Sequence, residues 1–152
     1  MHTPAMRVLI LYESRRGFTL TVARAIRDTL RARGHEAFTA PIRAVDVGSI
    51  AAVDALVLGT WVEGMIVLRV GPATAALEGI ASLPDLDGRP VALFCTCFAS
   101  PRRTMEILAE RVRSKGGVVT VGAVFKRKKI RELDEFVDRF IAEASRVTQG
   151  AA

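Results

Sequence analysis

With 152 residues, 50% of them hydrophobic, the chain can build one domain with one substantial core, whereas two domains would each be marginal. No apolar run approaches the roughly 20 residues of a membrane helix, and the segment from His2 to Ala5 lacks the pattern of a secretory signal, so the expected location is the cytoplasm. The net charge of +6 rests on 22 basic residues, 18 of them arginine, and bears on partners and solubility instead of fold.

Taken in order, the chain alternates two patterns. Met6 to Tyr12 is an almost unbroken apolar run, as expected of a strand buried on both faces of a parallel sheet. The loop Ser14-Arg15-Arg16-Gly17-Phe18-Thr19 ends it, after which Leu20, Val22, Ala23, Ala25, Ile26 and Leu30 recur at helical spacing. Arg33-Gly34 stops that helix, Glu36 to Ala40 forms a short second strand closed by Pro41, and Asp46 to Ala52 forms a short helix. Ala55 to Leu58 is the third strand, ending in the loop Gly59-Thr60-Trp61-Val62-Glu63-Gly64, and a helical pattern runs from Pro72 to Ala81. Pro90 to Cys97 is the fourth strand and Pro101 to Lys115 the fourth helix, a first turn being a place where proline is tolerated. Gly116-Gly117 breaks that helix, Val118 to Phe125 is the fifth strand, and Glu132 to Val147 is an amphipathic last helix. The expected organisation is a single domain over residues 1–152, with its core between about 6 and 147.

Five strands alternating with helices predict an α/β fold with right-handed crossovers and a parallel sheet covered on both faces. Two doubly wound strand orders fit, and in either a ligand gathers outside the strand carboxyl ends where the order reverses. Three loops reach that place. In the first, unpaired N–H groups at a helix start and the helix dipole favour an anion, Gly17 allows close approach, and the Ser14 and Thr19 hydroxyls can donate to phosphate oxygens. An ordinary strand-to-helix turn capped by Ser14 or Thr19 uses the same residues. Neither GxxxxGK[ST] nor GxGxxG occurs, which argues against the mononucleotide loop and the dinucleotide fingerprint. After the third strand comes the only tryptophan, Trp61, placed either to stack on a flat ligand or to pack over the sheet edge. Beyond the fourth strand, Cys95-Thr96-Cys97-Phe98 supplies a second aromatic.

The segment Ser14-Arg15-Arg16-Gly17-Phe18-Thr19 resembles the flavodoxin phosphate loop [ST]-x-T-G-x-T, matching at Ser14, Gly17 and Thr19. A phosphate loop followed by two aromatic loops is similar to the three flavin-contacting segments of that family, over essentially the whole chain. The resemblance implies a flavodoxin-like three-layer sandwich with a five-stranded parallel sheet in the order 2-1-3-4-5. It also implies non-covalent FMN, with the phosphate in Ser14 to Thr19 and the isoalloxazine between Thr60-Trp61-Val62, continuing to Glu63 and Gly64, and Thr96-Cys97-Phe98. Such a protein carries electrons to or from a redox partner protein or a small-molecule acceptor, and needs no catalytic residue. Small flavodoxin-like oxidoreductases acting on quinones or a porphyrinogen share the arrangement. This chain departs from the pattern at Arg16, where threonine is usual, and at Phe18, where asparagine is common. It is basic where typical flavodoxins are acidic, and its third loop lacks their acidic and tyrosine residues. A reduction potential less negative than an acidic flavodoxin's is therefore expected.

Other readings use other residues. Cys97 to Thr104 fits the C-x5-R-[ST] loop of cysteine phosphatases, with Asp85 or Asp87 as proton donor, although Pro101 lacks an N–H where that cradle needs one. Cys95 and Cys97 face the same side of a strand, a placement open to a redox pair, but two small buried thiols are expected, and His2 and His35 are too isolated to complete a metal site. The cluster Lys126-Arg127-Lys128-Lys129 with Arg131 is accompanied by no nucleic-acid-binding motif and reads as a solvated loop. A flavodoxin-shaped binding module without flavin is the remaining alternative, with Arg16 and Phe18 spoiling the loop.

Overall fold

The computed structural model describes residues 4–65, 68–98, 100–126 and 132–150; His2, Ala99 and Arg127, Lys128, Lys129 and Arg131 lie outside them. The apolar run near the amino terminus forms strand β1 (Arg7–Glu13). Alternation along a strand sends Val8 and Ile10 to one face of the sheet and Leu9 and Leu11 to the other, each set into its own buried cluster. Helices α1 (Phe18–Ala32) and α5 (Leu133–Gly150) cover the first face through Ile26, Leu30, Phe136 and Phe140. Helices α2 (Val47–Ala51), α3 (Thr74–Ala81) and α4 (Thr104–Ser114) cover the second through Ile50, Ile80, Leu108 and Val112. These are the three layers that an α/β sandwich requires, and no described helix is long and apolar enough to cross a membrane.

The remaining strands are β2 (Glu36–Pro41), β3 (Ala55–Met65), β4 (Leu68–Pro72), β5 (Pro90–Cys97) and β6 (Val118–Lys126). Five run parallel in the order β2-β1-β3-β5-β6, the expected order with β4 inserted in the numbering. Strand order reverses between β1 and β3, so the carboxyl ends of β1, β3 and β5 meet at the switch point.

The structure corrects the expected elements in three places. β3 does not stop at Leu58 but runs on to Met65, where it pairs antiparallel with β4, a sixth strand absent from the sequence-based expectation. Trp61 is consequently a strand residue paired with Thr96, not a loop residue. Pro72 closes β4 instead of opening a helix, and α3 begins only at Thr74; proline is acceptable in both settings, as a first-turn residue and at the end of an edge strand, so the residue type alone did not choose. Helix α4 likewise starts at Thr104, after a loop in which Arg102 takes a left-handed φ of 50°.

Close packing sets the distance between β3 and β5. Gly59 pairs with Phe94, and a Cβ built on Gly59 would lie 1.9 Å from Phe94 Cζ. The ring is held in turn: Phe94 packs edge-on to Phe125 at 6.0 Å between centroids, and Phe125 edge-on to Phe136 at 5.8 Å.

Candidate functional site

The first loop begins where β1 ends. Gly17 precedes α1 with φ 90°, a left-handed conformation that side chains resist. Ser14 is turned into the loop: its Oγ accepts the Gly17 N–H at 3.1 Å and the Leu20 N–H at 3.4 Å, which caps the helix start. As acceptor in both bonds, it keeps its own proton free to donate. The N–H groups of Arg15, Arg16, Phe18 and Thr19 meet no acceptor among the described residues, leaving a set of donors at the amino end of a 15-residue helix.

Thr19, almost fully buried in the first turn, shares a 2.7 Å hydrogen bond with Thr96 near the end of β5. This bond ties the first loop to the third. On β3, Thr60 is buried and engaged: it donates to the Trp61 carbonyl at 2.9 Å and accepts the Ala73 N–H at 3.3 Å, fastening β3 to the start of α3. Glu63 does similar work. Its Oε2 accepts from the Thr74 N–H at 2.6 Å and from the Thr74 hydroxyl at 2.8 Å; these bonds, helped by nearby Arg15, hold its carboxyl below the usual range.

Arg15, Arg16, Phe18, Thr19, Trp61, Val62, Glu63, Thr96, Cys97 and Phe98 line one cleft of about 420 Å³, a volume within the range of ligand sites. Of the fourteen expected site residues, Ser14 and Gly17 shape this cleft through the loop backbone, Thr60 braces it from behind, and Gly64 lies further along β3. Two features went unforeseen. The Arg15 guanidinium lies over the Trp61 ring, 5.2 Å from its centroid, and Trp61 Nε1 is buried without an acceptor among the described residues. Phe98 stands at the rim, 86% exposed. A second hollow, of about 240 Å³ between α2 and α3, is lined by Ile42, Val45, Ile50 and Leu83 and lacks aromatic walls.

Burial keeps both thiols above the ordinary range. Burial pushes the Cys95 thiol up to about 12, and burial raises the Cys97 thiol despite the opposing pull of Lys126. Asp85 and Asp87 lie in the turn before β5, at the opposite end of the strand from Cys97, some ~20 Å away by strand rise. Arg103 Nε donates to Glu106 at 3.1 Å, with both side chains exposed. Among the described residues, neither Asp85 nor Asp87 reaches the C-x5-R loop.

Comparison with known proteins gives the same picture. The family model described as Flavodoxin domain matches residues 9–143. The two-electron reduced flavodoxin of Megasphaera elsdenii superposes with a TM-score of 0.76 at 22% identity, over 89% of this chain and 98% of that one. Oxidised flavodoxin 2 of Bacillus cereus gives 0.73 at 21% identity, over 90% and 98%. The rubredoxin:oxygen oxidoreductase of Desulfovibrio gigas gives 0.75 at 16% identity, over 95% of this chain but 36% of that larger one. No curated protein matches the sequence.

Proposed function

The chain belongs to the flavodoxin domain family, and from that premise we propose that it binds FMN non-covalently in the cleft and carries electrons. One observation carries this reading: the helix-start donors of the first loop, the Trp61 segment of β3 and the Thr96-Cys97-Phe98 end of β5 open into a single cleft at the switch point.

The residues present fit the group. A phosphate finds the unengaged N–H groups of Arg15, Arg16, Phe18 and Thr19, the Ser14 proton and the Arg16 side chain, so the lost threonine hydroxyl at position 16 is replaced by a cation. Trp61 and Phe98 supply aromatic surface for the flavin ring. Thr60 and Glu63 hold the wall through Ala73 and Thr74. The bound flavin supplies one- and two-electron chemistry, and the protein adjusts its potential. Arginines at the cleft favour the anionic reduced form, which places the potential above that of an acidic relative. Burial holds the Cys97 thiol above its ordinary range, and the reading needs no catalytic residue, only a flavin and a redox partner. We also place the protein in the cytoplasm.

Trp61 is the only tryptophan, so its emission reports on the cleft alone. Titrating FMN into the ligand-free protein should quench that emission with a one-to-one end point, and riboflavin, lacking the phosphate, should bind more weakly. Emission indifferent to excess FMN would overturn the proposal.

A further inference from the structure

At the amino end of the sheet, Arg7 pairs with Glu36 at 3.0 Å and Arg33 with Asp138 at 2.9 Å. Arg89 donates to the Val53 and Leu86 carbonyls, and Lys115 to the Leu83 carbonyl. At the carboxyl end, around the cleft mouth, Arg16, Arg102 and Lys126 are exposed and meet no carboxylate among the described residues. Three carboxylates at this end of the sheet are already engaged. Glu63 is bound by Thr74, Glu13 by Arg43 at 3.2 Å and Glu106 by Arg103.

These cations frame an exposed aromatic. Arg16 lies in the loop after β1, Arg102 in the loop after β5, and Lys126 ends β6 beside Cys97, whose thiol feels its charge. Phe98, 86% exposed at the cleft rim, stands in the same loop as Arg102. Arg102 is held in its left-handed conformation, with its N–H donating to Ser100 Oγ at 3.2 Å, so the loop presents this cation at a cost in backbone strain. An aromatic anchor within a rim of unpaired cations is a docking surface that attracts negative charge and repels positive charge.

We propose that the cleft mouth, with Phe98 at its rim and Arg102 and Lys126 beside it, docks an acidic electron-transfer protein. The proposal rests on the reading of the cleft as the electron-carrying site, since it places the partner over the mouth of that cleft. Electrostatic steering then makes association fast and salt-sensitive.

The test measures fluorescence anisotropy of two labelled carriers, an acidic plant-type ferredoxin and a basic cytochrome c, against both the ligand-free and the FMN-treated protein. The ferredoxin should bind in both states and weaken at least ~10-fold as salt rises from low to above physiological concentration, while cytochrome c should not bind. The Arg102→Glu/Lys126→Glu variant should weaken ferredoxin binding by ~10-fold or more, and Arg102→Gly, which relieves the strained φ, should weaken it in the same direction. Arg33→Glu at the amino end should leave it unchanged. Tighter binding of cytochrome c, equal losses from Arg33→Glu, or a short DNA duplex that competes as well as the ferredoxin would each overturn the proposal. Ferredoxin binding by a protein that ignores FMN would sink the cofactor reading and leave the acidic-partner surface standing. FMN uptake without ferredoxin binding would do the reverse.

Discussion

Replacing Gly59 by alanine tests how tightly β3 and β5 pack behind the cleft. The added Cβ would sit 1.9, 2.2 and 2.4 Å from three atoms of the Phe94 ring, far inside contact distance. The ring has little room to retreat, because Phe94 is fully buried and braced through Phe125 against Phe136. Overpacking of this kind costs about 1–3 kcal/mol, and more where nothing yields. For a chain of this size that corresponds to a fall in Tm of roughly 3–10 °C. The effect reaches the site, since Gly59 is two residues before Trp61 and Phe94 two before Thr96, so strands forced apart here displace two walls of the cleft. Thermal melts of Gly59→Ala, Phe94→Leu and the double variant form a cycle in which the smaller side chain recovers part of the loss. A Gly59→Ala protein that melts within about a degree of the parent, with FMN uptake unchanged, would refute the argument.

Three further outcomes follow from individual contacts. His35 is buried, burial lowers its pKa, and its Nδ1 accepts the Met6 N–H at 3.0 Å, a bond only the unprotonated nitrogen makes. Its contribution is complete above the unfolded value of about 6.5 and declines as pH falls through that value toward the lower folded one; Tm should therefore drop between about pH 7.5 and 5.5, and His35→Gln should flatten that drop. Thr19→Val strands the buried Thr96 hydroxyl and should cost about 1–3 kcal/mol in denaturant unfolding, with Thr19→Val/Thr96→Val recovering part of it. Arg15→Gln removes the cation over Trp61 and should alter the emission of the ligand-free protein; loss of that charge should also lower the potential of bound flavin, by some tens of millivolts at an effective dielectric of about 40–80. If neither changes, Arg15 has no part in tuning the site.

The parallel layers were readable because their signal is local and redundant. Residues 8–11 and 91–95 are apolar without interruption, which only a strand covered on both faces tolerates, and Gly34 and Gly116 mark helix ends with left-handed backbones. β4 was not readable, because its existence depends on the continuation of β3 beyond Trp61, and a pairing between two chain segments leaves little trace in either alone. The cleft residues were recognisable as a set, since the three segments end strands that the fold must bring together. Their individual roles were not. That Ser14 accepts two backbone N–H groups, that Thr60 and Glu63 point to the start of α3, and that Arg15 covers Trp61 all depend on side-chain directions that spacing does not encode.

The central claim is that this cleft holds a redox-active flavin, and its most direct test is the visible spectrum of the protein after incubation with FMN and removal of the excess. Retained bands near about 375 and 450 nm, bleached by dithionite and restored by air, with a Trp61→Ala variant retaining less flavin, are the predicted result. A colourless protein after incubation with excess FMN would contradict the account.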